Sequence, residues 1–201
     1  MAGRPAVFLD RDGTITVERG HVTRPEDLEL LAGAAEAIRA LNEAGVLAVL
    51  VSNQSGVARG LMTEDDLSVV HSRLEGLLHE RGARLDAAYY CPHFRGGSVE
   101  RYTRDESCRK PAVGMVERAA REHGIDLSAS YVIGDALTDI ALAQRAGMLG
   151  VLVLTGKGET ELRAAGERGI VVERTAGDLR AAVEWALADF RARRDGGAHA
   201  G

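Results

Sequence analysis

The chain has 201 residues, 45% of them hydrophobic, 27% charged and 4% aromatic, with a formal net charge of −5. This balance supports a packed aliphatic core and excludes a mainly disordered chain. It also argues against a stacking platform for single-stranded nucleic acid and against a broad phosphate-backbone footprint.

Short apolar runs alternate with helical patterns. Ala6-Val7-Phe8-Leu9 reads as the first strand, and residues 26–44 read as a helix closed by Gly45. The run 46–51 is a second buried strand. Thr63 followed by Glu64, Asp65 and Asp66 predicts a capped helix whose acidic first turn suits the helix dipole. Leu67, Val70, Leu74, Leu77 and Leu78 make its apolar stripe. Residues 87–90 read as a strand, and 111–123 as a helix with Pro111 in its first turn and Gly124 as its stop. Strands at 131–133, 150–154 and 170–172 follow, then a last helix over 179–193 capped by Asp178. A Gly- and Ala-rich flexible tail is expected over 193–201. The pattern predicts an α/β fold, a three-layer doubly wound parallel sheet without a large cap domain. Residues 1–192 read as one domain. No apolar run is long enough to span a bilayer, and the N-terminus lacks the layout of a signal peptide. Two cysteines are too few for a disulfide scaffold, so reduced thiols in the cytoplasm are expected.

In such a sheet, ligands bind beyond the carboxyl ends of the strands at the topological switch point. Four strand ends carry unusual residues. Asp10 and Asp12 follow the first strand in Asp10-Arg11-Asp12-Gly13-Thr14, and carboxylates this close imply a cation or an exchangeable proton. Ser52, Asn53, Gln54 and Ser55 end the second strand and offer neutral donors to phosphate oxygens, with Arg59 adding a cation. Arg109 and Lys110 precede Pro111, so the helix reading sets two cations at a positive helix end. A bound phosphate explains that placement better than solvation. Asp135 ends another strand, and Asp139 lies one helical turn on, where it can approach the same space. So many converging acids need a metal, and an oxygen-only donor set points to Mg2+. Taken singly, each of these motifs is also an ordinary turn sequence.

The order Asp-x-Asp-Gly-Thr, Ser-Asn-Gln, Lys, Gly-Asp-x-x-x-Asp resembles the haloacid dehalogenase (HAD) superfamily of phosphohydrolases. Ser-Asn-Gln-Ser-Gly-Val-Ala-Arg-Gly at 52–60, Tyr-Tyr-Cys-Pro-His at 89–93 and Cys-Arg-Lys-Pro at 108–111 are similar to bacterial heptose bisphosphate 7-phosphatases, relatives of histidinol-phosphate phosphatases. The likeness covers about Ala6 to Leu154. It implies Asp10 as nucleophile and Asp12 as acid and base. Ser52 and Lys110 would steady the transferring phosphoryl group, and Arg109 would contact the rest of the substrate. It also places Mg2+ on Asp10, the Asp12 backbone carbonyl and Asp135, and matches Glu18, Arg19, Gly20 and His21 to a substrate loop. From the residues alone, His21 reads as a solvated loop residue. The implied partner is a small sugar bisphosphate, handled by a monomer without nucleic-acid or membrane partners.

Two positions depart from the family pattern. Where relatives carry lysine after Gly-Asp this chain has Ala136, and Arg19 is the cation expected to compensate. Cys91, His93 and Cys108 match three ligands of a structural zinc in relatives, while Glu106 stands where the fourth cysteine would fall. A Cys2HisGlu zinc site, a site completed by Asp105 or water, and a pair of reduced cysteines all stay open. Other classes fit less well. A nicotinamide-binding protein would need glycines where Asp10-Arg11-Asp12 stands. A regulatory phosphate-binding module would most simply lack one of Asp10, Asp12 or Asp135, and a nucleic-acid 3′-phosphatase would call for a basic arm.

Overall fold

Six short strands, all but the last of them mainly apolar, form one sheet in the computed structural model, which describes residues 3–104 and 106–197. They are β1 (Ala6–Leu9), β2 (Leu47–Asn53), β3 (Ala87–Cys91), β4 (Tyr131–Gly134), β5 (Leu149–Val153) and β6 (Arg174–Ala176). The order is β3-β2-β1-β4-β5-β6, with every pairing parallel. Helices α1 (Ala34–Glu43), α2 (Ser55–Ala58), α3 (Glu64–His79) and α4 (Gly114–His123) connect the first four strands. Helices α5 (Leu137–Arg145), α6 (Gly158–Ala164) and α7 (Leu179–Gly197) complete the chain.

Strands buried on both faces divide their apolar side chains between two cores, because successive side chains point to opposite faces. Val7, Leu9, Leu50 and Ile133 pack with Ile38, Leu74 and Val183 from α1, α3 and α7. Phe8, Val49, Val51 and Val132 pack with Val116, Ala119 and Leu142 from α4 and α5. This is the expected three-layer arrangement. Its switch point lies between β1 and β4, where consecutive connections run to opposite sides and the loops beyond the strand ends diverge. No described helix is long and apolar enough to cross a membrane.

The helix signals at Thr63 and Asp178 hold. Thr63 Oγ1 accepts the Asp66 N–H at 3.1 Å while Asp66 Oδ2 accepts the Thr63 N–H at 2.8 Å, a capping box worth about 1 kcal/mol. Asp178 Oδ1 accepts the Ala181 N–H at 2.8 Å. Other boundaries differ. The helix expected over 26–44 is a short 3-10 turn at Pro25–Asp27 followed by α1 alone. Between them the Leu31 N–H bonds Ile15 O, and Leu30 bridges Thr16, so the segment is tied to the loop after β1. The strand expected over 170–172 is absent, and Val171 is 67% exposed; pairing with β5 begins instead at Arg174. Helix α7 runs through Gly197, into the stretch read as a tail, and 198–201 lie outside the described residues.

Candidate active site

A crevice of about 200 Å3 opens over the carboxyl ends of β1, β2 and β4, lined by Asp10, Asp12, Ser52, Arg109, Lys110 and Asp135 among others. Larger clefts lie along the β3 edge and beneath α7, but neither draws in more than one carboxylate. At the floor of the crevice, Lys110 Nζ sits 2.9 Å from Asp10 Oδ1 and 2.6 Å from Asp139 Oδ1. Lys110 is only 3% exposed and Asp139 is fully buried. Asp10, Asp135 and Asp139 each present a ligand atom within 4.8 Å of the others.

The electrostatics follow from that crowding. Burial, reinforced by the charge of Asp10, pushes the Asp135 carboxyl up to about 7, against the pull of the Lys157 N–H that donates to its Oδ2 at 2.8 Å. Burial also pushes Asp139 up to about 6, although Lys110 works in the opposite direction. Burial alone would lower Lys110, but the charges of Asp10 and Asp139 outweigh it and hold the ammonium well above its ordinary value. Gly13 makes the close approach feasible. Its φ is +78°, and a Cβ there would lie 2.0 Å from Asp135 Oδ2, so any side chain would evict that carboxylate. Carboxylate oxygens that converge on one point are the donor set Mg2+ accepts, and Asp10 with Asp135 fits it.

Lys110 reaches its place by a different route from the expected one. Helix α4 begins at Gly114, because 107–113 folds back on itself with Gly114 N–H on Ser107 O and Ala112 N–H on Arg109 O, both at 2.8 Å. Lys110 is therefore not at a helix terminus. Instead, Asn53 clamps its backbone, with Oδ1 accepting the Lys110 N–H at 2.9 Å and Nδ2 donating to Lys110 O at 3.1 Å. Gln54 is similarly engaged. Its Nε2 donates to Asp12 Oδ2 at 3.0 Å and Ser52 Oγ at 3.1 Å, and its Oε1 accepts from Arg11 Nη2 at 3.0 Å. The amides read as phosphate donors thus hold the Lys110 backbone and the Asp12 and Arg11 side chains, and all four residues from Ser52 to Ser55 line the wall.

Arg11 was not legible as a site residue. It is fully buried, with Nε 3.2 Å from both Asp12 carboxylate oxygens and Nη2 2.9 Å from Oδ2. Sequence offered no signal for it beyond its place between the two acids.

Glu18, Gly20 and His21 of the expected substrate loop line the crevice. Arg19 does not: it pairs with Glu29 at 2.6 Å on the exposed surface. Nor does Arg59, which lies over the Phe94 ring at 4.4 Å. Arg109 lines the crevice, donates to His93 O at 3.0 Å and lies 4.9 Å from the Phe94 ring. Lys157, unanticipated, joins the wall and pairs with Glu18 Oε2 at 2.6 Å.

The cysteines are a further correction. Cys91 ends β3 with its Cα 5.4 Å from that of Cys108, and the two form a disulfide instead of remaining reduced. His93 Nδ1 lies 3.6 Å from Cys108 Sγ, but Glu106 Oε1 is 4.0 Å from His93 Nε2 and is paired with Arg104. With both sulfurs bonded to each other, this set does not fit zinc. Asp105, the alternative ligand, lies outside the described residues.

A linkage follows from Asp135. Its raised pKa means the folded chain holds a proton that the unfolded chain releases, so this group's contribution to stability falls as pH rises from about 4 toward about 7. Mg2+ would replace that proton. The gain in Tm on adding Mg2+ is therefore expected to be larger at pH 8 than at pH 5.5. Thermal melts with Mg2+ and with chelator at both pH values check this, and equal gains would contradict it.

Residues 107–179 match the HAD-hydrolase-like family. Across 186 residues the chain is 47% identical to the D-glycero-D-manno-heptose-1,7-bisphosphate 7-phosphatase of Thermosynechococcus vestitus, covering 90% of this chain and 95% of that one. The chain belongs to the heptose bisphosphate phosphatase family. The Escherichia coli enzyme of that family is 44% identical over 154 residues, covering 76% of this chain and 81% of its own. The family's D,D-heptose 1,7-bisphosphate phosphatase from B. bronchiseptica, crystallised with magnesium and phosphate, superposes with a TM-score of 0.81. It is 33% identical and covers 92% of this chain and 99% of its own. The fold and the superfamily expected from the strand-end motifs are those of this phosphatase family.

Proposed function

We propose that the chain hydrolyses a sugar bisphosphate, D-glycero-D-manno-heptose 1,7-bisphosphate, releasing the 7-phosphate through an aspartyl-phosphate in a Mg2+-dependent reaction. The observation that carries this reading is the buried Lys110 ammonium held against Asp10, beside Asp135. An oxygen nucleophile, a cation for the transferring group and acids able to hold a metal share one crevice.

In the first step an Asp10 carboxylate oxygen bonds to phosphorus as the bond to the sugar oxygen breaks, and Asp12 gives that oxygen a proton. In the second, Asp12 takes a proton from water, whose oxygen displaces Asp10 and yields inorganic phosphate. Held by Asp10, the Asp12 carbonyl and Asp135, Mg2+ would offset the charge of the phosphoryl oxygens. Lys110 supplies the same help from the protein side, and Ser52 offers a hydroxyl to the phosphoryl group. Arg11 and Gln54 fix the position from which the Asp12 carboxylate acts.

The names of the relatives support the heptose as substrate, and the cations support a second phosphate. Histidinol phosphate carries an amine that Arg109 and Lys157 would repel. Arg109→Ala is expected to lower kcat/KM for the bisphosphate about 10- to 100-fold more than for p-nitrophenyl phosphate, the scale of one lost charge-assisted contact. An unchanged ratio between the two substrates would sink the assignment of Arg109. A monomeric, cytoplasmic enzyme with one domain over 1–192 belongs to the same proposal. Zinc belongs to it for the reduced chain only, since Cys91, His93 and Cys108 lie within 4.8 Å of one another. Metal content measured after reduction decides that point.

A further inference from the structure

Among the described residues, the crevice holds three cationic side chains: Lys110, Arg109 and Lys157. Lys110 is committed to Asp10 and Asp139. Arg109 stands on the side of β3, whereas Lys157 follows β5 across the crevice, whose wall also includes Ala136 and Thr138. The anchoring of Lys157 is firm at the backbone and loose at the tip. Its N–H is fixed on Asp135 Oδ2 at 2.8 Å, and the preceding Thr155 Oγ1 donates to Gly13 O at 2.6 Å. Gly156 has φ +56°, and a Cβ there would lie 2.3 Å from the same Asp135 oxygen, so this loop is pressed against the metal-binding acids. The Lys157 side chain is 57% exposed and crosses the mouth to Glu18, which is 16% exposed. A pair open to solvent on one side contributes little to stability. A phosphate, with nearly two charges and three acceptor oxygens, outcompetes one carboxylate for such an ammonium.

We infer that Lys157 is the specificity-determining cation for the non-reacting phosphate of the substrate, and that Glu18 holds it at the crevice mouth until that phosphate displaces the carboxylate. Lys157 thereby takes the place where Ala136 offers no charge, a task that neither Arg19 nor Arg59 is positioned to perform. The inference rests on the sugar-bisphosphate reading and adds the residue that selects the second phosphate.

The test compares kcat/KM for heptose 1,7-bisphosphate and heptose 7-phosphate in the full chain with Mg2+. Lys157→Gln is expected to cut the preference for the bisphosphate at least tenfold, chiefly through KM, while Lys157→Arg keeps most of it. Glu18→Gln is expected to preserve or raise the preference, because it frees the ammonium. If Glu18→Gln and Lys157→Gln depress both substrates alike, the pair is a structural tie and the inference falls. An unmoved preference in Lys157→Gln, in an enzyme whose wild type favours the bisphosphate, overturns the role of Lys157 alone. A wild type that hydrolyses neither sugar better than p-nitrophenyl phosphate overturns the functional reading itself.

Discussion

Asp10→Asn is expected to reduce turnover by at least about 10⁴-fold while leaving the fold intact, since removing a nucleophile abolishes the covalent route. Asparagine keeps an Oδ1 to accept the Arg11 N–H, which Asp10 accepts at 2.8 Å. It gives up the charge facing Lys110, but Lys110 retains Asp139 at 2.6 Å. The substitution also removes one of the charges that raise Asp135. Steady-state phosphate release with p-nitrophenyl phosphate and thermal melts together check the prediction. Turnover within tenfold of wild type would remove Asp10 from the nucleophile's role.

Lys110→Met is expected to be costly in two ways. Losing a charge aimed at the transferring group should lower kcat by about 10²- to 10³-fold. Breaking a buried ion pair from one side should destabilise the metal-free chain by about 3–5 kcal/mol, because Asp139 remains fully buried without a cation. The pH dependence has a definite sign. Without Lys110 the Asp139 carboxyl rises further, so the folded chain keeps its proton over a wider range and the loss of stability grows with pH. Denaturant melts in chelator should show a larger penalty at pH 8 than at pH 5. A variant that changes only KM would make Lys110 a substrate contact and not a support for the transition state.

The acids were legible because strand ends of a parallel sheet converge, so Asp10 and Asp135, distant in sequence, needed only correct strands to be placed together. Asp139 followed from helical spacing. What positions these groups was not legible. Asn53 and Gln54 look like phosphate donors in sequence, yet their hydrogen bonds go to Lys110, Asp12, Ser52 and Arg11. Pro111 suggested a helix start, but turn hydrogen bonds to Ser107 O and Arg109 O fold 107–113 back on itself and delay α4 to Gly114. Arg19, placed by its match to a substrate loop, and Arg59, placed by the motif after the second strand, were expected as site cations, whereas a surface carboxylate and an aromatic ring occupy them. Lys157 follows a strand end too, and applying the strand-end rule to β5 would have found it. The pairing of Cys91 with Cys108 depends on β3 and a distant loop meeting, which no spacing reveals.

In the proposed function this crevice removes one particular phosphate from a sugar bisphosphate with the help of Mg2+. The most direct measurement is phosphorus NMR of the purified chain acting on D-glycero-D-manno-heptose 1,7-bisphosphate, with histidinol phosphate run in parallel. Loss of the 7-phosphate resonance with the 1-phosphate retained is expected, with arrest by chelator and recovery on restoring Mg2+. Preferential hydrolysis of histidinol phosphate, or undiminished turnover in chelator, would contradict it.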